Sequence, residues 1–244
     1  MKTKHMFPLL LSLLFSAALS SVNAQVTFTD DFNRADASDL GSNYTYYNNF
    51  ASSSSIYGIS SNTAISTTAS AQNALALVVE SAFVLQDGDQ FTMELDLQSD
   101  TTDSNWAGFV YNFQDASNFS YVRWKPSTGA VQAITLVDEV ISSYATITDT
   151  DYLTTATVHL LLTGDGSGNY TVTLSRSGVD DASLDWSSTI FTDGQAGLYY
   201  TGAGTGASEW TFDNFSANIP EQRSSAILLG IGTITAVLFM RRRK

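Results

Sequence analysis

The chain has 244 residues, no cysteine and a formal net charge of −13, with 24 acidic against 11 basic residues. Only Arg34, Arg123, Lys125 and Arg176 are basic between positions 25 and 218, where 23 acidic residues give this segment a net charge of −19. Such an acidic surface repels nucleic acid and anionic lipid, which excludes both as partners, and the lack of cysteine excludes disulfides and thiol chemistry.

The first 24 residues predict a secretory signal peptide. Lys2 and Lys4 precede an apolar run over residues 6–19, and Ser21-Val22-Asn23-Ala24 offers small residues at the two positions that a signal peptidase reads. We therefore expect export, with signal peptidase as a partner and cleavage after Ala24. A retained N-terminal anchor is the alternative.

The segment from residue 25 to residue 218 is predicted to be one all-β domain. Thr, Ser, Tyr, Phe and Val dominate it, and apolar and polar residues alternate over Phe91–Leu97 and Ala107–Phe113. Turn residues separate such runs at short intervals, as in Gln86–Asp89 and Lys125–Gly129. About a dozen short strands at this spacing favour an antiparallel sandwich or barrel, in which two stacked sheets bury the apolar faces of both.

Several stretches of this segment resemble a family of secreted bacterial domains. They are the opening Asp30–Asp36 with Leu40–Asn43, the central Trp106–Trp124, and the closing Gly194–Tyr199 and Trp210–Ser216. Together they are similar to concanavalin A-like, LamG-type jelly rolls. The resemblance covers nearly all of residues 25–218 and implies a two-sheet antiparallel jelly-roll sandwich whose closing strands return beside its start. It implies the fold more firmly than an activity, because one fold hosts many functions.

The last 26 residues, Ile219–Lys244, form a three-part tail. Pro220-Glu221 is followed by an uncharged run over residues 224–240 and by the basic residues Arg241, Arg242, Arg243 and Lys244. The run predicts a transmembrane helix of about 25 Å, with the basic end on the cytoplasmic side.

This tail resembles the PEP-CTERM sorting signal that exosortases read in Gram-negative bacteria. Gln222 stands where the usual motif has a second proline. The resemblance implies an exosortase-type sorting enzyme as a partner, cleavage near Pro220-Glu221, and delivery to the cell envelope or the extracellular space. An uncut tail anchor that holds the protein in the inner membrane is the alternative.

Two carboxylates on one predicted strand are the candidate catalytic residues. Glu94 and Asp96 lie two positions apart, so their side chains share a face about 6.5 Å apart. Paired carboxylates hydrolyse glycosidic bonds, and some glucanases of the resembled fold carry a third glutamate on the same strand, where this chain has Gln98 or Ser99. The acid pair is therefore incomplete, and ordinary alternation, with the apolar neighbours inward, is the preferred interpretation.

A second set of residues has the composition of a carbohydrate-binding surface. Such surfaces place aromatic rings against the apolar faces of sugars and fix the hydroxyl groups with polar side chains. Strand parity puts Arg123 and Tyr121 on one face and Trp124 on the other, and one of those faces must be core. The candidates are Trp106, Tyr111, Asn112, Tyr121, Arg123, Trp124 and Trp186.

The resemblance also implies a structural calcium ion between the first and last strands, held by aspartates. Asp30, Asp31 and Asp213 are at suitable positions, and calcium takes six to eight oxygen ligands. Solvated surface charge is the alternative for these three residues. A transition-metal centre is not expected, because His159 is the one histidine after the signal peptide, and its alternation with leucines predicts a partly buried histidine with a partner.

The sequence therefore predicts a non-catalytic exported protein of the cell surface or extracellular matrix, with exopolysaccharide as a candidate partner. A glycoside hydrolase or lyase that uses Glu94 and Asp96 is one alternative. A purely structural envelope protein without a small ligand is the other.

Overall fold

A computed structural model describes residues 25–54, 56–67, 72–79, 84–86, 90–99, 105–125, 128–148, 155–164, 169–176, 182–187, 193–202 and 210–220. Contacts group Val26–Pro220 into one compact unit. Every regular element within these ranges is a β-strand, which confirms the all-β prediction. In chain order the strands are β1 Gln25–Asp30, β2 Tyr44–Asn48, β3 Ala51–Ser52, β4 Tyr57–Ser60, β5 Thr63–Ser66, β6 Ala74–Val78, β7 Val84–Gln86, β8 Gln90–Ser99, β9 Trp106–Asp115, β10 Asn118–Lys125, β11 Ala130–Val137, β12 Val140–Thr148, β13 Thr155–Gly164, β14 Asn169–Arg176, β15 Ala182–Ser187, β16 Asp193–Thr201 and β17 Trp210–Pro220.

The strands form two antiparallel sheets. An eight-stranded sheet has the order β15-β14-β13-β8-β17-β5-β4, with β1 paired to β17. A nine-stranded sheet has the order β12-β11-β10-β9-β16-β6-β2-β3, with β7 paired to β16. Strands β9 to β12 are neighbours in both sequence and space, whereas β8 and β17 pair across more than a hundred residues of chain, so the last strand returns to the middle of the fold.

The two sheets pack face to face and enclose the main hydrophobic core. Alternate residues point inward, as period-two strands require. The eight-stranded sheet contributes Leu95, Leu160 and Phe212, and the nine-stranded sheet contributes Phe109 and Leu198, all fully buried. The molecule is therefore a two-sheet antiparallel sandwich, as the alternation predicted.

The nine-stranded sheet is also apolar on its other side, which we call its outer face. A second buried cluster lies there, formed by Leu75, Leu77, Val110, Phe113, Phe119, Tyr121, Ile134, Leu136 and Tyr199. The middle strands of this sheet thus carry apolar side chains in both directions, and β6 is buried at every one of its five residues.

The two ends of the domain differ in detail from the prediction. The motif that begins at Asp30 follows β1 rather than forming a strand, and strand β17 continues through Ile219 and Pro220. Within the described ranges, no helix is long and apolar enough to cross a membrane. The predicted signal peptide and the predicted tail from Glu221 onward, with its apolar run and Arg241, Arg242 and Arg243, lie outside the described residues.

Candidate functional site

The outer face of the nine-stranded sheet brings aromatic and basic residues together at one end of the strands. The register places Lys125 of β10 beside Trp106 at the start of β9, and Arg123 opposite Gly108. On the other side of β10, Arg123 is opposite Gln132 of β11. We call the set Trp106, Tyr121, Arg123, Lys125, Gln132 and Tyr199 the Trp106 cluster.

Two cations lie over the indole of Trp106. The guanidinium carbon of Arg123 is 4.3 Å from the ring centroid, and the ammonium nitrogen of Lys125 is 5.6 Å from it. Both side chains, like the indole itself, are partly exposed. Cation–π attraction of this kind contributes about 0.5–2 kcal/mol per pair, depending on solvation. The ring is thus fixed by its neighbours while it still reaches solvent.

A chain of hydrogen bonds runs across the strands through Arg123. Its Nε donates to Oε1 of Gln132 at 2.9 Å, and its Nη1 donates to the hydroxyl of Tyr199 at 3.3 Å. The Tyr199 hydroxyl donates to Oδ1 of Asn73 at 2.8 Å, and Nε2 of Gln132 donates to the hydroxyl of Tyr144 at 2.8 Å. Strands lie about 4.8 Å apart, so this polar strip from β6 to β12 is about 24 Å long.

Tyr121 and Tyr199 form the floor of the cluster. Their rings are stacked, with centroids 4.3 Å apart and planes at 7°. Burial raises the pKa of the Tyr121 phenol and raises that of Tyr199 well above its usual value, although the charge of Arg123 opposes both shifts. Both phenols are therefore neutral at physiological pH, and the Tyr199 hydroxyl keeps the proton that it donates to Asn73.

Gly108 leaves room for the Arg123 side chain. It lies between Tyr199 of β16 and Arg123 of β10 in one cross-strand row. A Cβ at this position would lie 2.1 Å from the carbonyl oxygen of Val122, which no side chain tolerates without movement of the backbone. The glycine thus allows β9 and β10 to approach closely, and it lets Arg123 reach across to Tyr199.

Four of the seven predicted ligand residues lie outside the Trp106 cluster. Tyr111 and Trp124 are fully buried in the core between the sheets, so they cannot touch a ligand on the outer face. Asn112 is buried and has a positive φ of 49°, a backbone conformation that asparagine tolerates at an irregular point of a strand. Trp186 belongs to β15 in the other sheet, opposite Tyr170.

The candidate catalytic pair lies on the outer face of the eight-stranded sheet. Met93, Leu95 and Leu97 are buried, and Glu94 and Asp96 point away from the core, so the alternation interpretation is confirmed. Each carboxylate has partners. Glu94 binds Nδ1 of His159 at 2.9 Å, and Asp96 accepts hydrogen bonds from Thr157 and, at 2.8 Å, from Nδ2 of Asn214.

His159 was predicted to be a partly buried histidine with a partner, and the structure gives it Glu94 as that partner on a half-exposed site. Its side chain is 48% exposed, because it shares the outward parity of its cross-strand neighbour Glu94 while Val158 and Leu160 point into the core. A shallow depression of about 200 Å³ lies beside the pair and is also lined by Ser216 and Asn218.

The three predicted calcium ligands do not form one group. Both oxygens of Asp30 are bound by Arg34, at 2.6 and 3.1 Å, and the carboxylate also accepts from the Tyr44 hydroxyl. Burial, followed by the charges of Asp96 and Asp31, raises the pKa of Asp213 against a hydrogen bond from the Asn214 backbone. No set of three acidic, histidine or cysteine side chains in the described ranges is arranged to hold a metal ion. A calcium site at this edge stays a prediction from the sequence.

Sequence reasoning missed Asn73, Lys125, Gln132, Tyr144 and Tyr199 as members of the site or its strip. A local signal existed for Gln132, because β10 and β11 are consecutive antiparallel strands whose register places position 132 opposite Arg123. No local signal existed for Tyr199 and Asn73, because their strands meet β9 and β10 only through long-range pairing.

Comparisons with known proteins bear on the fold. No protein-family model matches the sequence, and a search of curated proteins found no match. Among solved structures, the chain is similar to Bacteroides ovatus Xyloglucan PUL GH43B, with a TM-score of 0.56, 16% identity, and coverage of 81% of this chain and 40% of that one. It is similar to the xylan β-1,4-xylosidase of Bacillus halodurans, with a TM-score of 0.51, 14% identity, and coverage of 78% and 38%. It is also similar to peanut lectin, with a TM-score of 0.50, 10% identity, and coverage of 80% and 97%.

These likenesses show a β-sandwich of the jelly-roll kind and do not extend to an activity, because the identities are low. The chain spans only about two fifths of the length of the Bacteroides ovatus protein.

Proposed function

We propose that this protein is a non-catalytic carbohydrate-binding domain of the concanavalin A-like type, and that it binds glycan on the outer face of the nine-stranded sheet. The single observation that carries the proposal is the Trp106 cluster, where a partly exposed indole lies beside a strip of hydrogen-bonding side chains. The fold it shares with a lectin and with a xylosidase agrees with this class of ligand.

The chemistry of the cluster suits a sugar. A pyranose ring has apolar C–H faces that pack on an aromatic ring, and equatorial hydroxyl groups that need donors and acceptors at its edge. Trp106 supplies the ring, while Arg123, Gln132 and Tyr144 supply the polar groups along the strip. Tyr144 is 49% exposed, so the strip reaches solvent at β12 as well as at Trp106.

The test is binding of the full-length protein, in mild detergent, to a panel of neutral and acidic polysaccharides by affinity electrophoresis. We expect Trp106→Ala to lower affinity for the bound polysaccharide by about tenfold or more, as loss of a central aromatic anchor does. Glu94→Gln is the matched control on the other sheet and is expected to bind like the wild type. Equal binding by Trp106→Ala and wild type contradicts this site.

The same experiment separates the two alternatives. Release of reducing ends by the wild type that disappears in Glu94→Gln would favour a glycoside hydrolase that uses Glu94 and Asp96. The non-catalytic proposal instead rests on the partners of both carboxylates, which leave Glu94 paired with His159 and Asp96 hydrogen-bonded twice. Failure to bind any polysaccharide in the panel would favour a purely structural envelope protein.

We also propose that the protein is exported and sorted to the cell envelope or exterior of a Gram-negative-type bacterium. The support is the sequence alone: the signal peptide over residues 1–24, Pro220-Glu221, the apolar run 224–240 and the terminal Arg241, Arg242 and Arg243. The tail would hold the chain in the inner membrane until an exosortase-type enzyme cuts it. From the same resemblance in sequence we propose structural calcium at Asp31 and Asp213. Asp30 is not suited as a ligand, because Arg34 binds both of its oxygens.

Cell fractionation tests the sorting proposal. An antibody against the domain should detect a band shorter than the full chain in the envelope or medium, and replacement of the three terminal arginines by asparagine should leave the tail uncut. A full-length chain with both ends intact in the cytosol would contradict export.

A further inference from the structure

The Trp106 cluster holds two of the four basic residues found between positions 25 and 218, and neither meets an acidic side chain. Over the part of the chain that the structure describes, no carboxylate lies within salt-bridge distance of Arg123 or Lys125. Arg34, by contrast, is bound by Asp30 at 2.6 Å. In a segment with 23 acidic residues, two neighbouring unpaired cations require an explanation.

Arg123 and Lys125 also have N–H donors that bind no acceptor among the described residues. A guanidinium has five N–H groups, and Arg123 uses Nε for Gln132 and one N–H of Nη1 for Tyr199. Its Nη2 group has no hydrogen-bond partner among the described residues, and nor has the Lys125 ammonium, whose contact is the indole ring. A guanidinium edge is the side-chain group best matched to a carboxylate, which it binds through two parallel hydrogen bonds.

The acidic residues described in the same sheet lie at its far end. Asp115, Asp138 and Glu139 are in or beside the hairpin turns that join β9 to β10 and β11 to β12, and Asp193 begins β16. Nine residues of strand separate Trp106 from Asp115, which corresponds to about 30 Å. The Debye length at physiological ionic strength is about 8 Å, so those charges are largely screened at the cluster.

We propose that the Trp106 cluster recognises an acidic sugar residue, such as a uronic acid, within the glycan. Arg123 and Lys125 would bind the sugar carboxylate while its ring packs on Trp106. This inference rests on the proposed function, since it names the class of glycan that the same face binds. The inference concerns one sugar carboxylate bound at one site. It differs from binding a polyanion through many charges, because the negative net charge of the domain opposes that kind of binding.

Because the domain has a large negative net charge, we expect its affinity for an acidic sugar to depend on salt in an unusual way. At about 0.01 M salt the Debye length is about 30 Å, so the net charge of the whole domain repels an acidic ligand. At about 1 M salt it is about 3 Å, and the local attraction by Arg123 and Lys125 is screened too. Affinity for an acidic sugar should therefore be highest at intermediate salt, whereas a protein with an overall basic surface binds best at the lowest salt.

The experiment compares two ligands that differ only in charge. Isothermal titration of the full-length protein in mild detergent uses trigalacturonate and its carboxyl-reduced, neutral counterpart at about 0.15 M salt. We expect the acidic oligosaccharide to bind about tenfold more tightly, which is the effect of one charge-assisted bidentate contact.

Variants assign this difference to the cluster. Lys125→Gln and Arg123→Gln should each lower affinity for the acidic ligand more than affinity for the neutral one, and so reduce the preference for the acidic ligand. Arg176→Gln is the matched control, because it removes the same charge from β14 in the other sheet. Thermal unfolding of each variant checks that the fold is kept. Arg123→Gln also removes hydrogen bonds to Gln132 and Tyr199, whereas Lys125→Gln removes the charge without removing a hydrogen bond within the described residues.

The outcomes separate the inference from the proposed function. If the wild type binds both ligands equally and Trp106→Ala weakens that binding, the inference is overturned and the carbohydrate site is kept. A preference for the acidic ligand that Arg176→Gln reduces as much as Lys125→Gln would also overturn it, because the effect would then come from net charge. Loss of all oligosaccharide and polysaccharide binding by the wild type would overturn the proposed function itself.

Discussion

The outer faces of the two sheets carry the same kinds of residues in opposite arrangements. On the eight-stranded sheet, Glu94 and Asp96 are each bound by a neighbour from the next strand, so both carboxylates have a local partner. On the nine-stranded sheet, Arg123 and Lys125 lie over an indole, meet no carboxylate in the described ranges, and border a buried apolar cluster.

This difference separates a solvated surface from a surface built for contact. Carboxylates that already have local partners, as Glu94 and Asp96 do, have less left to offer a ligand. On the nine-stranded sheet, by contrast, Arg123 and Lys125 have N–H donors with no carboxylate partner among the described residues. The comparison therefore supports the proposal of a site on the nine-stranded sheet rather than at Glu94 and Asp96, whose acid pair the sequence already indicated to be incomplete.

Among the substitutions that test this difference between the two faces, we expect the largest effect on stability at Gly108. Gly108→Ala should destabilise the protein by about 2 kcal/mol, because the new Cβ would overlap the carbonyl oxygen of Val122 and force β9 and β10 apart. The same substitution should weaken glycan binding, since Arg123 would lose its path to Tyr199. Urea unfolding followed by circular dichroism measures the change in stability.

The control for this variant lies on the other outer face. Thr163→Ala removes an exposed side chain of β13 and should change the free energy of unfolding by less than about 0.5 kcal/mol. A Gly108→Ala variant as stable as Thr163→Ala would show that β9 and β10 can separate without cost, against the geometry described here.

We expect Asp213→Asn to have a smaller effect of opposite sign, namely to stabilise the protein at neutral pH. The pKa of Asp213 in the folded state is raised above the usual 3.8, so the folded state holds the proton more tightly than the unfolded state does. That contribution to stability is present below the unfolded pKa and is lost as pH rises through the folded pKa. Asp213→Asn should therefore raise the melting temperature at neutral pH and leave it unchanged near pH 3, where wild-type Asp213 is already protonated.

Melting temperatures of both proteins between about pH 3 and pH 7 check this prediction. Asp31→Asn should shift stability in the same direction but by less, because it removes only one of the charges that raise the Asp213 pKa. A wild-type protein more stable than Asp213→Asn at neutral pH would mean that the carboxylate is stabilised there, as a bound cation would do.

Much of the sandwich could be predicted because its strands carry their own signals. The alternation of Phe91–Leu97 fixed which residues face the core, and the shared parity of Tyr121 and Arg123, opposite to Trp124, is confirmed. The sequence did not tell which of those two faces is the core. Both faces of β10 are apolar, so alternation in polarity, the usual guide, is absent there.

The site could be predicted only in part for a related reason. Trp106, Tyr121 and Arg123 lie on one hairpin, so their proximity follows from local geometry. Tyr199 lies on β16, 76 residues after Arg123 in the chain, and nothing in its own segment indicates which strand it will pair with. The pairing of Glu94 with His159 is long-range as well, which is why the sequence predicted a partner for the histidine without indicating which residue it is.

The hydrogen-bonded strip from Asn73 to Tyr144 has a consequence for the thermodynamics of recognition. Long side chains such as arginine and glutamine normally lose rotamer freedom when a ligand immobilises them, and each loss opposes association by about 0.5–1.5 kcal/mol. Here Gln132 and the guanidinium of Arg123 are already held by their neighbours before any ligand arrives. Binding at this face should therefore be accompanied by a small entropy loss on the protein side, with the ordering of the glycan itself as the main opposing contribution.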